Sequence, residues 1–291
     1  MNAQMNTVYI SSVSIFLSVI VIIVNVIVIA RFFVNKQSAT LKQFSMIVVK
    51  LTFDSCFALG TVIYSASIIL KIFDVTNTFF PLYTSGNIIQ SMEAAMGVLN
   101  VFIALDRLYA MRSPLLYSRD YNSRIQKIAV ALVLLTFTVC FVTYTVTRPD
   151  QLDGSAFTFT HMVNKLVQSI IHLSTVGVLL VSMVVTVFFL FGFRSFVKKR
   201  MNSRRMVTYA ISVNKANRVV LYLMTLEFFC LVLPNLLEIV LRYGFGIVMS
   251  NFGPVIHPLF VLYITISSFM ILWSVVYKKK AVLSSTIHSI F

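Results

Sequence analysis

The residues of this chain that could do chemistry are few, and they stand in apolar surroundings. Lys50 and Asp54 lie four residues apart in VVKLTFDSC, and Asn25 interrupts IVNVIV. Gln90, Glu93, Gly97 and Asn100 follow i, i+3, i+7, i+10, a spacing that puts them on one helical face. Asp106 and Arg107 are adjacent in ALDRLYAMRSPLLY, and Glu227 and Glu238 stand alone in later apolar runs. Such residues can pair charges and share hydrogen bonds; making and breaking covalent bonds asks for more. His161, His172, His257 and His288 are scattered, none beside a nucleophile, and no Cys/His cluster has metal-ligand spacing. With no phosphate loop either, the sequence points away from an enzyme and implies no metal and no cofactor.

The elements that position these residues are set by composition. Of 291 residues, 58% are hydrophobic and only 11% charged, whereas about a quarter of a soluble domain is charged. Apolar stretches of about 20 residues or more recur along the whole length, each long enough to cross a hydrocarbon core of about 30 Å as a helix. The windows predict seven spans, near Val8 to Phe33, Phe44 to Leu70, Gly86 to Tyr109, Lys127 to Thr147, Leu166 to Phe193, Val219 to Val240 and Pro254 to Tyr277. The expected fold is therefore all-α: a polytopic membrane protein, one seven-transmembrane helix bundle over residues 1–291.

The formal net charge of +15 could suggest a nucleic-acid partner, but the placement of the bases argues against it. Of the 24 Lys and Arg, Lys71, Arg148, Lys165 and Arg242 fall on one side and Lys50 inside a span; all the others lie in the odd-numbered connections and the tail. By the positive-inside rule the N-terminus is outside and the C-terminus cytosolic. The basic surplus then faces anionic lipid of the inner leaflet. Its densest cluster, Arg194 to Arg205, is either a cytosolic extension of spans five and six or a solvated loop. Met1 to Thr7 carries no Lys or Arg and no cleavage site follows, so the first apolar run reads as a retained span. Cys56, Cys140 and Cys230 all fall inside apolar runs, which predicts buried thiols, and the chain has no Asn-x-Ser/Thr sequon.

An ionisable residue at mid-bilayer costs roughly 2.5 to 3.5 kcal/mol on insertion scales, so each should face protein or water. Asn25 and Asp54, near the middle of consecutive spans, could meet as interhelical glue or share an ion or water. Lys50, at i,i+4 from Asp54, reads as an intrahelical partner or a snorkelling base. Glu93, seven residues into span three, should lie roughly 10 Å deep, where it and Gln90 could line a ligand pocket or simply pack. Glu238, with Arg242 one turn on, could bind ligand or pair with that arginine, and Gln168, His172 and Thr175 make a weak polar stripe on the outer half of span five. Pro234 removes a backbone hydrogen bond from span six and predicts a kink there.

Asp106 to Tyr117, DRLYAMRSPLLY, resembles the signature that closes the third span of rhodopsin-like G-protein-coupled receptors, with Asp106, Arg107, Ala110, Pro114, Leu115 and Tyr117 in register. Asn25, Asp54, and Pro234 with Phe228 six residues before it also fall where that class keeps its span-one Asn, span-two Asp and span-six aromatic and proline. The departures are clear: Tyr109 comes one residue late, span four has no Trp, no cysteine pair is placed to tie span three to the second outer loop, and span seven ends in WSVVYKKK without an Asn-Pro-x-x-Tyr sequence. In layout the chain looks like the nematode serpentine chemoreceptors, the Srbc or Srx groups. That resemblance implies an olfactory or gustatory receptor of the plasma membrane, in a sensory cilium, which binds a small ligand and activates a heterotrimeric G protein. Asp106, Arg107, Pro114, Leu115 and Tyr117 would form the switch, Asn25, Asp54 and Asn100 a polar network, Pro234 and Phe228 the hinge, and Gln90, Glu93, Gln168, His172 and Glu238 candidate ligand contacts. A transporter or a ligand-gated channel is an alternative, disfavoured by the odd span number, the lack of an internal repeat and the few intramembrane charges; a seven-span protein that does not signal is a further alternative, which these features leave open.

Overall fold

The computed structural model describes residues 3–34, 45–74, 78–112, 122–148, 158–200, 219–245 and 256–276, with the backbone alone for 193–200. Seven helices long and apolar enough to cross a membrane make up almost all of this. They are α1 (Ala3–Val34), α2 (Ser45–Ile72), α3 (Phe79–Arg112), α4 (Asn122–Val146), α5 (Lys165–Arg200), α6 (219–244) and α7 (Ile256–Val276). Among the described residues there is no strand, and a single 3₁₀ turn, Phe159–His161, lies between α4 and α5.

The helices follow the apolar runs, with differences at their ends that have local causes. α3 begins at Phe79 instead of near Gly86. Pro81 falls in its first turn, where a proline costs nothing because the N–H it lacks would have no partner there. Pro258 sits likewise in the first turn of α7. α5 continues past Phe193 to Arg200, carrying the helix into the first part of the basic cluster. Pro114, Leu115 and Tyr117 lie outside the described residues.

Burial sorts the helices. In the apolar window of α3, 61% of residues are buried, against 17% in α4, so α3 is the axis of the bundle and α4 a peripheral strut. Phe16, Leu135, Ile170, Phe188 and Trp273 are more than half exposed, an outward apolar surface that suits acyl chains and not water. Inside, the apolar side chains form two clusters. The outer one gathers Phe57, Tyr64, Tyr83, Tyr144, Phe159 and Phe260; the inner one gathers Val28, Leu51, Leu99, Ile103, Val220 and Ile271. Both draw on α1, α2, α3, α6 and α7, so each helix is clamped at two heights.

α6 is not a simple proline kink. Its backbone widens into a π-helical turn at Phe228–Val232, where the Leu233 N–H donates to the Phe228 carbonyl, and Pro234 follows directly. Asn235 compensates from the next position: its Nδ2 donates to the Leu231 carbonyl at 2.7 Å. A backbone acceptor in the widened turn is thereby satisfied without water, as a helix in lipid requires.

Candidate functional site along the bundle axis

Ionisable and polar side chains stand at three levels along α3. At the outer level, Glu93 Oε1 lies 3.5 Å from His257 Nδ1 in the first turn of α7, each residue only 14% exposed. Gln90 Nε2 donates to the other Glu93 oxygen at 3.4 Å. His257 is bounded by the rings of Phe57 and Tyr64, with centroids 5.8 and 5.9 Å away. Neither His257 nitrogen, nor Glu93 Oε1, has a hydrogen bond of good geometry, so this level keeps donor and acceptor capacity in reserve. Because α3 starts early, Glu93 lies roughly 21 Å along the helix from Phe79, fourteen residues in instead of seven. A second His–carboxylate pair, His172 Nε2 with Glu238 Oε2 at 3.4 Å, joins α5 to α6. Glu238 thus faces α5, while the Arg242 side chain is outside the described set. Gln168 is half-buried one turn outward from His172, and the Thr175 hydroxyl donates to the Ile171 carbonyl of its own helix.

The second outer loop closes against this level. A Cβ built on Gly86 would come within 2.5 Å of the Phe159 Cβ and 2.6 Å of its Cγ, so only glycine lets the loop approach α3 here. Phe159 is 2% exposed and stacks at an angle on Tyr83 and edge-on to Tyr144. Its N–H donates to Tyr64 Oη at 3.1 Å. Cys56, Cys140 and Cys230 are all free thiols, so packing and one hydrogen bond make the connection that a disulfide could have made. None of the three is buried as expected: Cys56 is exposed on α2 and Cys140 and Cys230 are partly exposed, on helix faces whose apolar surface suits acyl chains, where a thiol meets no penalty.

At the middle level, Lys50 Nζ sits 2.6 Å from Asp54 Oδ2, with the two side chains 1% and 0% exposed. The ammonium also lies 4.9 Å from the centre of the Tyr263 ring of α7. Lys50, Asn100, Tyr263 and the 2%-exposed Glu227 of α6 line a polar void with room for about one water. Asn100 and Ser182 flank the Glu227 carboxyl, and Glu227 Oε1, Asp54 Oδ1 and Tyr263 Oη carry no hydrogen bond of their own. The Lys50–Asp54 pair and the Glu227 carboxyl therefore border one small void, which brings α2, α6 and α7 together around α3. Asn25 does not meet Asp54, contrary to the expected pairing: its Nδ2 donates to the Leu51 carbonyl and Ser55 Oγ, both at 3.2 Å, while Lys50 occupies the aspartate. Geometry decides this, since Leu51 and Ser55 lie on the α2 face toward α1 and Asp54 does not.

At the inner level, Arg107 donates through Nε (3.0 Å) and Nη2 (2.5 Å) to Asp106 Oδ2. The side chains are 2% and 0% exposed. A charged fringe at a helix end would be solvated; this pair is enclosed, and a buried pair resists loss of either partner far more than a surface one.

The family model described as serpentine type 7TM GPCR chemoreceptor Srbc matches residues 3–280. The chain belongs to the Srbc family. Among curated proteins none matches it. Of the two groups the sequence resembles, Srbc and Srx, it is Srbc that fits, and as a multi-pass chemoreceptor of the GPCR class the Srbc chain has its axis where the Asp106-Arg107 register puts it, in the third helix.

Several residues of this Srbc bundle escaped the reading of its sequence. His257 gave no sign that it would face Glu93. Phe159 and Gly86 carry no motif, though an isolated glycine at the outer end of a membrane helix is a general sign of close approach. Asn235 was legible in principle, because an Asn side chain in a helix can reach back to a carbonyl one turn earlier. Tyr263, Ser182 and the approach of Glu227 to the void beside Lys50 needed the third dimension.

Proposed function

We propose that the chain forms one membrane domain over its whole length that detects a small molecule in the outer half of the bundle. It passes that event to a heterotrimeric G protein at the cytosolic face, in the plasma membrane of a chemosensory cell and its cilium. The observation that carries this reading is the enclosed Asp106–Arg107 pair at the inner end of the axial helix, beneath two further levels of incompletely bonded polar groups. In this reading Glu93 and His257, with Gln90, Gln168, His172 and Glu238, offer the ligand its polar contacts, and Phe57, Tyr64 and Phe260 its apolar ones. A ligand that prefers one arrangement of α6 and α7 shifts the population toward it by its differential affinity alone. The movable element is α6: the π turn and Pro234 interrupt its regular ladder, and Glu227 stands directly on the inner side of that turn. Outward motion of the inner half of α6 draws Glu227 away from Lys50 and opens the cytosolic end, where Arg107 exchanges Asp106 for acceptors on the α-subunit. Arginine suits the task because it stays charged and presents five donors in a planar fork.

The test is Arg107→Ala in a reporter cell. Ligand-stimulated nucleotide exchange on Gα should disappear while surface expression stays near wild type, and Arg107→Lys should fail in the same way. Exchange that survives Arg107→Ala would overturn the switch.

A further inference from the structure

The inner end of α3 has a second face, turned away from the Asp106–Arg107 pair. Phe102, Leu105, Leu108, Tyr109 and Arg112 follow helical spacing along it, and Ile125 and Ile128 of α4 form the opposite wall of a groove of about 340 Å³. Every lining residue but Arg112 is apolar or aromatic, and Leu105 and Ile128 are 38% and 53% exposed on the outside of the bundle. Tyr109, the aromatic displaced by one residue from the receptor signature, is what lines the groove on this side. The Srbc match and the resting state of the switch leave this cleft without a role.

We propose that the groove is a binding site for one anionic phospholipid of the inner leaflet. Three observations select that occupant. First, the apolar part of the groove, Phe102 to Tyr109, rises roughly 10 Å along α3, about two thirds of one leaflet of a hydrocarbon core of about 30 Å. It therefore follows the upper length of an acyl chain below its headgroup. Second, the charge sits at one end only. Arg112 closes the groove at the headgroup level, and Arg124 and Lys127, both exposed, lie in the first two turns of α4 beside Ile125 and Ile128. Three bases and no carboxylate among these residues give an electrostatic preference for a phosphate-bearing anionic headgroup over a zwitterionic one, and the cytosolic leaflet is where such lipids lie. Third, the groove opens sideways from the bundle, toward lipid, because its exposed apolar residues, Leu105 and Ile128, lie on the outward face of α3 and α4, and only Arg112 lies at the cytosolic end. A soluble peptide or an α-subunit helix approaching from the cytosol would find the basic mouth but not the apolar depth.

The site is tested on the purified full-length chain in detergent micelles. Native mass spectrometry counts retained phosphatidylserine and phosphatidylcholine of identical chains, and thermal melting shows that each variant is folded. Wild type should retain one phosphatidylserine in clear preference to phosphatidylcholine. Arg112→Gln should reduce that preference about fivefold, the equivalent of the about 1 kcal/mol that a single base contributes near an anionic surface. Leu105→Trp and Ile128→Trp, which fill the groove from exposed positions that tolerate a large side chain, should each lower retention of both lipids. Glycerophosphoserine, the headgroup without chains, should not displace the bound lipid. Equal retention of the two lipids by wild type, an unchanged preference in Arg112→Gln, unaltered retention in both tryptophan variants, or displacement by the chainless headgroup would each overturn the site. None of these readouts depends on ligand or G protein, so the proposal stands or falls apart from the signalling function.

Discussion

Replacing Lys50 by Met removes the ammonium paired with the buried Asp54 carboxylate while keeping most of the side-chain volume. Lys50 Nζ is 2.6 Å from Asp54 Oδ2 with both side chains at or below 1% exposure, and Glu227, 2% exposed, lines the same void. A water in that void could hydrogen-bond but not neutralise the carboxylate, so the substitution leaves uncompensated buried charge, which costs about 3 to 5 kcal/mol. At roughly 2 to 4 °C per kcal/mol for a chain of this size, the thermal midpoint of the purified receptor should fall on the order of 6 to 20 °C, measured with a dye that reports helix exposure. Asp54→Asn in the Lys50→Met background removes the orphaned charge. The double variant should therefore recover part of the loss, with the single costs failing to add by about 1 to 3 kcal/mol. Additivity within about 0.5 kcal/mol, or a Lys50→Met variant that melts with wild type, would refute the idea that this level is held by charge pairing and not by packing alone.

Other outcomes follow from the remaining levels. Gly86→Val should destabilise the receptor by about 1 to 3 kcal/mol, because its Cβ meets Phe159 at 2.5 Å; surface expression and melting both read this, and Phe159→Ala in the same chain should cost less than the sum of the two changes. Asn235→Leu removes the side-chain bond to the Leu231 carbonyl and should cost about 0.5 to 1.5 kcal/mol, with faster hydrogen exchange confined to the turn Phe228–Val232; uniform exchange along α6 would contradict a local role. Glu93→Gln should shift ligand potency more than expression, since the carboxamide keeps the size and loses the charge facing His257; equal loss of both would make Glu93 a packing residue.

What the sequence disclosed depended on the range of the interaction. Seven helices were legible because each apolar run is long and continuous, and the Lys50–Asp54 contact because i,i+4 neighbours meet on any helix. The start of α3 was misplaced by the charge-free but less apolar FFPLYTS segment, which packing on Phe159 and α4 keeps helical: Tyr83 Oη and Asn87 Nδ2 donate to the Tyr144 and Phe141 carbonyls. The widened turn of α6 left no trace beyond Pro234, since an i→i−5 bond needs no particular side chain. Contacts between helices distant in sequence, His257 with Glu93 and His172 with Glu238, have no local signature at all. Asn25 shows the limit from the other side: it does reach α2 but not Asp54, because height along a helix follows from counting residues whereas azimuth about the helix axis does not.

The seating of Phe159 on Gly86 has a kinetic meaning. Among the described residues of that loop, van der Waals contact and the hydrogen bond to Tyr64 hold it on the bundle, with no covalent bond to break and no oxidant to re-form it. The seating can therefore be lost and regained without covalent chemistry, and reducing surroundings leave it as it is.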